Sequence, residues 1–432
     1  MVLVYGLGVS GLACVEFLLA KKIPVCVYDD DKNRIAELLD KKIVSCQVIE
    51  NITASIKDID EIILSPTVRL NAKLQKEAFR YNIKVWGEFE FASQFCTAPI
   101  YAVTGTNGKT TTVTFLQQIL SFCGKKTFLV GNVGTPFSEV VANVKPSDVV
   151  VAELSNFQLE HSSNLKLQSA GLVSIAPDHL DKYDSFDDYF SAKQNILYCV
   201  SDKVFLNYDD SLVRSLAKKC KNFEFFSTDS MLKNGICCFD GEVYSVKNGH
   251  KSKLFRLDNF SIQGKHNLSN LLCAVSLALN IGLKASEIEK SLTKLTLPRH
   301  RLEFVRNVDG VDYFNDSKAT NIHAVISALN NFKNRKVTLL LGGSEKNEDW
   351  SSLVLPFCVK NVIAFGASGK KIMKALRKQT DVTLCESLFD AVYEAKEKAS
   401  DVVLLSPGCA SFDEFFSYSE RGEYFCELVN GF

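Results

Sequence analysis

Ile100-Tyr101-Ala102-Val103-Thr104-Gly105-Thr106-Asn107-Gly108-Lys109-Thr110-Thr111 is the stretch on which the reading of this 432-residue chain turns. The apolar run 100–103 predicts a strand, and a helical pattern begins near Lys109. Between them lies a glycine loop. Strand, loop and helix in that order aim backbone N–H groups and a helix N-terminus at one point, which attracts phosphate. Lys109 adds a positive charge, and the Thr110 hydroxyl suits Mg²⁺. The loop departs from G-x-x-x-x-G-K-[ST] at its first position, where Val103 stands. We read Gly105, Thr106, Asn107, Gly108, Lys109, Thr110 and Thr111 as an ATP site; a tight glycine turn that binds nothing stays open as the alternative.

Upstream, apolar runs at 2–5, 24–28 and 62–64 alternate with helical stretches, the pattern of βαβ units in a parallel sheet. After the first run comes Gly6-Leu7-Gly8-Val9-Ser10-Gly11, and Asp29 ends the second. That spacing fits a dinucleotide, NAD included, or another pyrophosphate, because the glycines and the helix N-terminus read pyrophosphate alone. Downstream, strands are expected at 127–130, 148–152 and 172–175. A hairpin over 235–246 turns at Asp240-Gly241 as an excursion from the main sheet. Helices are expected at 267–281 and 286–295. Leu297-Pro298 marks a boundary, since proline disfavours helix in the residue before it. Strands at 311–314, 337–341, 362–365 and 402–405 follow. The expected fold is α/β in three domains: a Rossmann-like domain over 1–92, a central domain of P-loop ATPase type with a mostly parallel sheet over 93–297, and a Rossmann-like domain over 298–432.

Fifty basic residues balance fifty acidic ones, so no global field draws the chain to nucleic acid or an anionic membrane. No apolar segment reaches spanning length, and Met1 runs directly into a strand with no signal peptide. The 14 cysteines show no C-x-x-C pair and no zinc spacing, which points to reduced thiols in the cytoplasm.

Glu153 in Ala152-Glu153-Leu154-Ser155, His179 in Asp178-His179-Leu180-Asp181 and Lys193 in Ala192-Lys193-Gln194 are each ordinary alone. In order with the glycine loop, Gly131-Asn132-Val133-Gly134, His266-Asn267-x-x-Asn270 and Pro298-Arg299-His300-Arg301, they resemble the Mur ligase family, which includes folylpolyglutamate synthetases. Asn315-Asp316-Ser317-Lys318-Ala319-Thr320-Asn321, Leu341-Gly342-Gly343 and Ser406-Pro407-Gly408-Cys409-Ala410-Ser411-Phe412-Asp413 narrow the resemblance to the branch that adds D-glutamate, and extend it over nearly the whole chain.

The resemblance implies a ligase that phosphorylates the carboxylate of UDP-N-acetylmuramoyl-L-alanine with ATP and joins it to D-glutamate in peptidoglycan precursor synthesis. Lys109, Glu153, His179 and Lys193 would be catalytic. Thr110 and Glu153 would hold one Mg²⁺, and His179 with Lys193, carbamylated so that a cation becomes an oxygen ligand, a second. Asn132 and Asn270 would lie near the adenine, and Arg301 and Asp316 near the ribose and phosphates. Gly8, Val9, Ser10, Asp29, Asn132, Ser155 and Gln158 would contact the UDP substrate. His179, Lys318, Thr320, Lys346, Ser411, Phe412 through its backbone and Tyr418 would contact D-glutamate, although Ser411 could equally cap a helix starting at Phe412. The chain departs from the family at Asp29-Asp30-Asp31, where acids would repel a pyrophosphate unless some face away, and at Thr67, where glycine is usual. The implied partners are small molecules, with neither nucleic acid nor membrane, and the implied state is a monomer. A folate-type polyglutamate ligase, an NAD-dependent oxidoreductase and a nucleotide-binding module without catalysis are the competing readings.

Overall fold

The computed structural model describes residues 1–40, 46–178, 182–262, 264–345, 349–398 and 401–432. Three sheets follow one another along the chain. The first holds β1 (Val2–Tyr5), β2 (Val25–Tyr28), β3 (Gln47–Val48), β4 (Glu61–Leu64) and β5 (Lys84–Gly87), all parallel, in the order β3-β2-β1-β4-β5. The second holds β6 (Ile100–Thr104), β7 (Thr127–Gly131), β8 (Val149–Glu153), β9 (Leu167–Leu172), β10 (Val200–Asn207), β11 (Phe223–Ser227), β12 (Gly235–Phe239), β13 (Glu242–Lys247) and β14 (His250–Arg256). Their order is β14-β13-β12-β11-β10-β9-β6-β8-β7, parallel from β7 across to β12 and antiparallel beyond. The third holds β15 (Glu303–Val308), β16 (Val311–Asn315), β17 (Val337–Gly342), β18 (Val359–Phe365), β19 (Asp381–Leu384) and β20 (Val402–Gly408) in the order β15-β16-β20-β17-β18-β19, with only β15 antiparallel.

The expected strands at 2–5, 127–130, 337–341 and 402–405 are present because helices cover both faces of these sheets. Leu339, Leu341, Val402 and Leu404 enter one core of the third sheet, while Leu340, Val403 and Leu405 enter the opposite one. A strand buried on both faces reads as an unbroken apolar run.

Two expectations fail. The strand expected at 172–175 lies at Leu167–Leu172, disguised because Leu167 and Ser169 point inward and Gln168 outward. The hairpin is no excursion: Gly235 pairs with Phe225, so β12 extends the sheet, and β14 completes its edge. The edge strand reads HKSKLFR, and its lysines both hide the strand signal and discourage pairing with another chain. The helix expected at 286–295 runs over Ala285–Ser291 and continues as a single 3₁₀ turn, Leu292–Lys294.

Contacts divide the described chain into two compact bodies. One comprises Met1–Ile175, Asp187–Phe260 and Ser269–Lys294, and the other Ala176–Phe186, Ser261–Leu268 and Leu295–Phe432. The first body contains both of the first two sheets. The helix Glu88–Ser93 joins them: the buried Glu88 carboxylate accepts the Ser138 N–H at 2.8 Å, Phe89 packs on Phe137 at 5.0 Å, and Glu90 accepts the Asn164 N–H. Arg69 and Glu160 add a two-point ion pair, with N···O distances of 2.6 and 3.2 Å. Burial pushes the Glu88 carboxyl above its ordinary pKa.

The turn after β1 requires glycine by close approach. A Cβ on Gly11 would lie 1.8 Å from the Gly6 carbonyl oxygen, which also accepts the Ser65 hydroxyl at 2.7 Å. Gly11→Ala must therefore displace backbone, and is expected to destabilise the protein by about 2 kcal/mol or more. A denaturant midpoint equal to that of the parent would contradict this packing.

Candidate active site

In parallel sheets ligands collect beyond the carboxyl ends of strands, where the strand order reverses. β6 sits between β9 and β8 at such a point, and Val103 pairs with Glu153, so the glycine loop and the end of β8 emerge side by side. Gly105 and Gly108 have φ of 153° and 86°, which favours glycine, and a Cβ on Gly108 would lie 2.3 Å from Asn270 Oδ1. The helix Lys109–Phe122 then starts, its first N–H groups unpaired within the helix. Lys109 Nζ folds back over the loop and donates to the carbonyls of Gly105 (2.8 Å) and Thr106 (2.9 Å).

The Glu153 carboxylate is buried and accepts the Thr110 hydroxyl at 2.6 Å and the Asn132 amide at 2.7 Å. Lys193, only 1% exposed, donates to the Gly105 carbonyl at 2.9 Å and lies 4.8 Å from the Tyr189 ring centre. The Tyr189 phenol is 2.8 Å from the Thr106 hydroxyl. Thus Asn132, Glu153, Lys193 and Asn270, widely spaced in sequence, gather with Lys109 and Thr110 around one loop. The hydroxyl and carboxylate oxygens fit a hard cation that keeps phosphate oxygens among its ligands, and the cradle that a Cβ would fill fits the phosphates. Thr111 is wholly enclosed and its hydroxyl has no partner among the described residues, so only its backbone N–H could reach a phosphate.

The turn after β1 leads into the helix Val9–Ala20, with Gly8 at its start and Val9 exposed. The three acids each have local partners. Asp29 accepts the N–H groups of Leu7 (2.6 Å) and Asp31 (2.8 Å), Asp30 accepts the phenols of Tyr5 (2.8 Å) and Tyr28 (3.3 Å), and Asp31 accepts the Asn33 N–H (3.0 Å). Asp29 alone stays beside the glycine turn. Ser155 and Gln158 form a capping box that starts the helix Asn156–Glu160, with the Ser155 N–H donating to Gln158 Oε1 at 3.0 Å.

In the second body, Asp316 follows β16 and accepts the Ser406 hydroxyl (2.8 Å) and the Leu302 N–H (3.2 Å). His300 and Leu302 both have positive φ, 61° and 46°, and hold Arg301 between them. The Arg301 Nε is buried without a partner among the described residues. Lys318 donates to the Tyr418 phenol at 3.1 Å, and Asn321 caps the helix Ile322–Leu329 while donating to Asp178 at 3.2 Å. Thr320 lies half-buried between Lys318 and Asn321. Ser411 is buried, and Phe412 is 74% exposed. No helix starts at Phe412; the next is Tyr418–Asn430, capped by Ser417. His179 and Lys346 lie outside the described residues.

Sequence reasoning missed Arg421. It is fully buried, and its guanidinium donates to neutral groups, the Ser317 hydroxyl (2.9 Å) and the carbonyls of Ser317 (2.8 Å), Cys409 (3.0 Å) and Ala410 (3.0 Å), while Asp413 and Glu414 add electrostatic attraction. One side chain thereby ties the loop after β16 to the loop after β20. Burial lowers its pKa to about 10, which leaves it charged at neutral pH. Its sequence signal is slight: an arginine in the first turn of a helix, otherwise unremarkable.

These loops and sheets define a class, and the comparisons agree. Residues 1–87 match the MurD-like N-terminal domain of Mur ligases, 103–278 the Mur ligase middle domain, and 300–409 the glutamate ligase domain of Mur ligases. The chain belongs to the Mur ligase family. A Thermoanaerobacter sp. (strain X514) protein named UDP-N-acetylmuramoylalanine–D-glutamate ligase is 38% identical to it, covering 99% of this chain and 97% of the relative. A Koribacter versatilis (strain Ellin345) protein of the same name is 37% identical, covering 99% and 96%. The crystal structure of UDP-N-acetylmuramate-alanine ligase from Thermotoga maritima shares the fold at 18% identity, with a TM-score of 0.59 over 100% of this chain and 99% of that one.

Burial pushes the Asp316 carboxyl up from 3.8 to about 6, against the pull of Arg301 and Ser406. The folded state therefore binds the proton more tightly than the unfolded chain. This stabilisation is complete below the unfolded value and is lost as pH rises through about 6. Asp316→Asn, which stays neutral, should gain on the parent by roughly 2–3 kcal/mol between pH 4 and 7. The difference between their denaturant unfolding free energies measures it, and parallel pH profiles would contradict it.

Proposed function

We propose that this chain adds D-glutamate to UDP-N-acetylmuramoyl-L-alanine through an acyl phosphate, with ATP converted to ADP and phosphate, in peptidoglycan precursor synthesis. The observation that carries the proposal is the gathering of Lys109, Thr110, Asn132, Glu153 and Lys193 at one glycine loop, in a chain whose full-length relatives carry that ligase's name. The cytoplasm is the proposed setting, supported by fourteen free thiols. Among the described residues no helix is long and apolar enough to cross a membrane.

Two Mg²⁺ ions, when bound, would neutralise phosphate charge and favour attack on the γ-phosphoryl group. Thr110 and Glu153 would hold one, and His179 with carbamylated Lys193 the other. The Lys193 amine forms an N–C bond to CO₂ and releases a proton, so a buried cation becomes an anionic oxygen ligand. Lys109 swings from the loop carbonyls to the phosphates. Asn132 and Asn270 serve the adenine, and Arg301 and Asp316 the ribose and phosphates.

The substrate carboxylate attacks the γ-phosphorus and ADP departs, leaving an acyl phosphate. The neutral amine of D-glutamate then attacks the acyl carbon, phosphate leaves, and the nitrogen loses its proton to give the amide. The amino acid is held by His179, Lys318, Thr320, Lys346, Ser411, the Phe412 backbone and Tyr418. Gly8, Val9, Ser10, Asp29, Asn132, Ser155 and Gln158 hold the nucleotide substrate. Arg34, 3.9 Å from carboxylate oxygens of both Asp29 and Asp31, offsets part of the acids' repulsion of its pyrophosphate.

Incubation with ATP, Mg²⁺, UDP-N-acetylmuramoyl-L-alanine and single amino acids should give the amide mass with D-glutamate. L-glutamate should lag by on the order of a hundredfold, since a misplacement of about 1 Å costs that much. Lys109→Ala should fold yet lose turnover. Equal use of both enantiomers, or turnover only with a folate acceptor, would contradict the assignment. For Lys193, ¹³C-bicarbonate should give a carbamate resonance that is absent from Lys193→Ala, and short carboxylic acids should partly restore that variant's activity. Near-normal turnover by Lys193→Arg would instead favour a simple cationic role.

A further inference from the structure

The backbone at the tip of the glycine loop is held from outside by Ser174, which has none of the roles above. Ser174 lies just beyond β9. Its hydroxyl accepts the Asn107 N–H at 2.9 Å and donates to the Asn107 carbonyl at 2.8 Å, gripping both backbone groups of one residue. Its own carbonyl accepts the Thr106 N–H at 2.8 Å. Three hydrogen bonds thus run from Ser174 to two successive residues at the tip of the loop.

Ser174 is itself fixed from both sides. The Val173 N–H donates to the Thr104 carbonyl at 3.1 Å, and the Val173 carbonyl accepts the Asn207 amide at 2.8 Å. The Ile175 N–H donates to Asp210 at 2.9 Å, whose other carboxylate oxygen caps the helix Ser211–Ser215. The clasp therefore transmits the rigidity of β9 and β10 to a loop whose glycines would otherwise leave it free.

We infer that Ser174 is a positioning residue for the phosphates of ATP, an inference that rests on reading the loop as the ATP site. The clasp does two things. It commits the N–H groups of Thr106 and Asn107 to protein, so the donors offered to phosphate are those of Gly108 and the first turn of the helix Lys109–Phe122. It also sets the loop before nucleotide arrives, so binding does not have to order it. A loop held by bound nucleotide alone would show the opposite: tip amides that are exposed until ATP closes on them.

Titration calorimetry with ATP and Mg²⁺, and separately with UDP-N-acetylmuramoyl-L-alanine, tests this on the parent, Ser174→Ala and Ser174→Thr. Two lost side-chain hydrogen bonds of ordinary strength should weaken nucleotide affinity about tenfold in Ser174→Ala. Ser174→Thr, which keeps the hydroxyl, should stay within about twofold of the parent. Affinity for the UDP substrate should not move in either. Unchanged nucleotide affinity in Ser174→Ala, or equal loss for both ligands, overturns the inference; a parent that binds no ATP overturns the functional reading instead. Amide hydrogen exchange on the parent is independent of whether the variants fold. Thr106 and Asn107 should be protected without nucleotide, and Gly108 to Thr110 should gain protection only with it. Tip amides that become protected only with ATP would also overturn the inference.

Discussion

The hydroxyl of Thr110 meets the carboxylate of Glu153 at 2.6 Å because β6 and β8 are parallel neighbours that end at the same level. That contact is the constraint from which the proposed chemistry follows. A buried carboxylate is costly unless its oxygens are satisfied, and here Thr110 and Asn132 satisfy one each. Both donors are also groups that a bound cation and nucleotide could take over. The sheet order supplies the rest: β9 on the other side of β6 brings Ser174 against the loop, and the helix Phe186–Gln194 brings Lys193 to its carbonyl.

Buried charge recurs in the second body, and each instance is met by hydrogen bonds. Asp316 is satisfied by a hydroxyl and a backbone N–H, Arg421 by carbonyls and a hydroxyl. Such groups add little net stability compared with an apolar core, yet they fix loop geometry through bond direction. Arg421 makes this concrete: the strand ends that carry Lys318 and Ser411 are bound to one planar cation. The positive φ values of His300 and Leu302 are held in the same neighbourhood, where surrounding contacts determine them.

What the sequence made legible was local chemistry. The glycine loop, the first βα turn and the doubly buried strands announce themselves over a few adjacent residues, because backbone conformation and two-sided burial act at that range. Resemblance added Glu153, Asn132 and Lys193, which spacing alone left ordinary. Contacts between distant residues stayed hidden. Ser174 and Arg421 owe their positions to carbonyls and amides that lie tens to about a hundred residues away in the chain, and neither residue type is unusual in composition. β9 and β14 escaped for a different reason: each carries polar residues on an outward face, so no apolar run marks it. The tripled acids after β2 suggested repulsion, and the Arg34 that lies beside two of them could not be placed there from sequence.

The central claim is that a carboxylate becomes an acyl phosphate before the amide forms, and oxygen transfer tests it most directly. UDP-N-acetylmuramoyl-L-alanine labelled with ¹⁸O in its terminal carboxylate is converted with ATP, Mg²⁺ and D-glutamate, and the inorganic phosphate is analysed by mass. The account predicts one ¹⁸O atom per phosphate released from fully labelled substrate, because the bridging oxygen leaves with phosphorus when the amine attacks. Amide formed with unlabelled phosphate would contradict it.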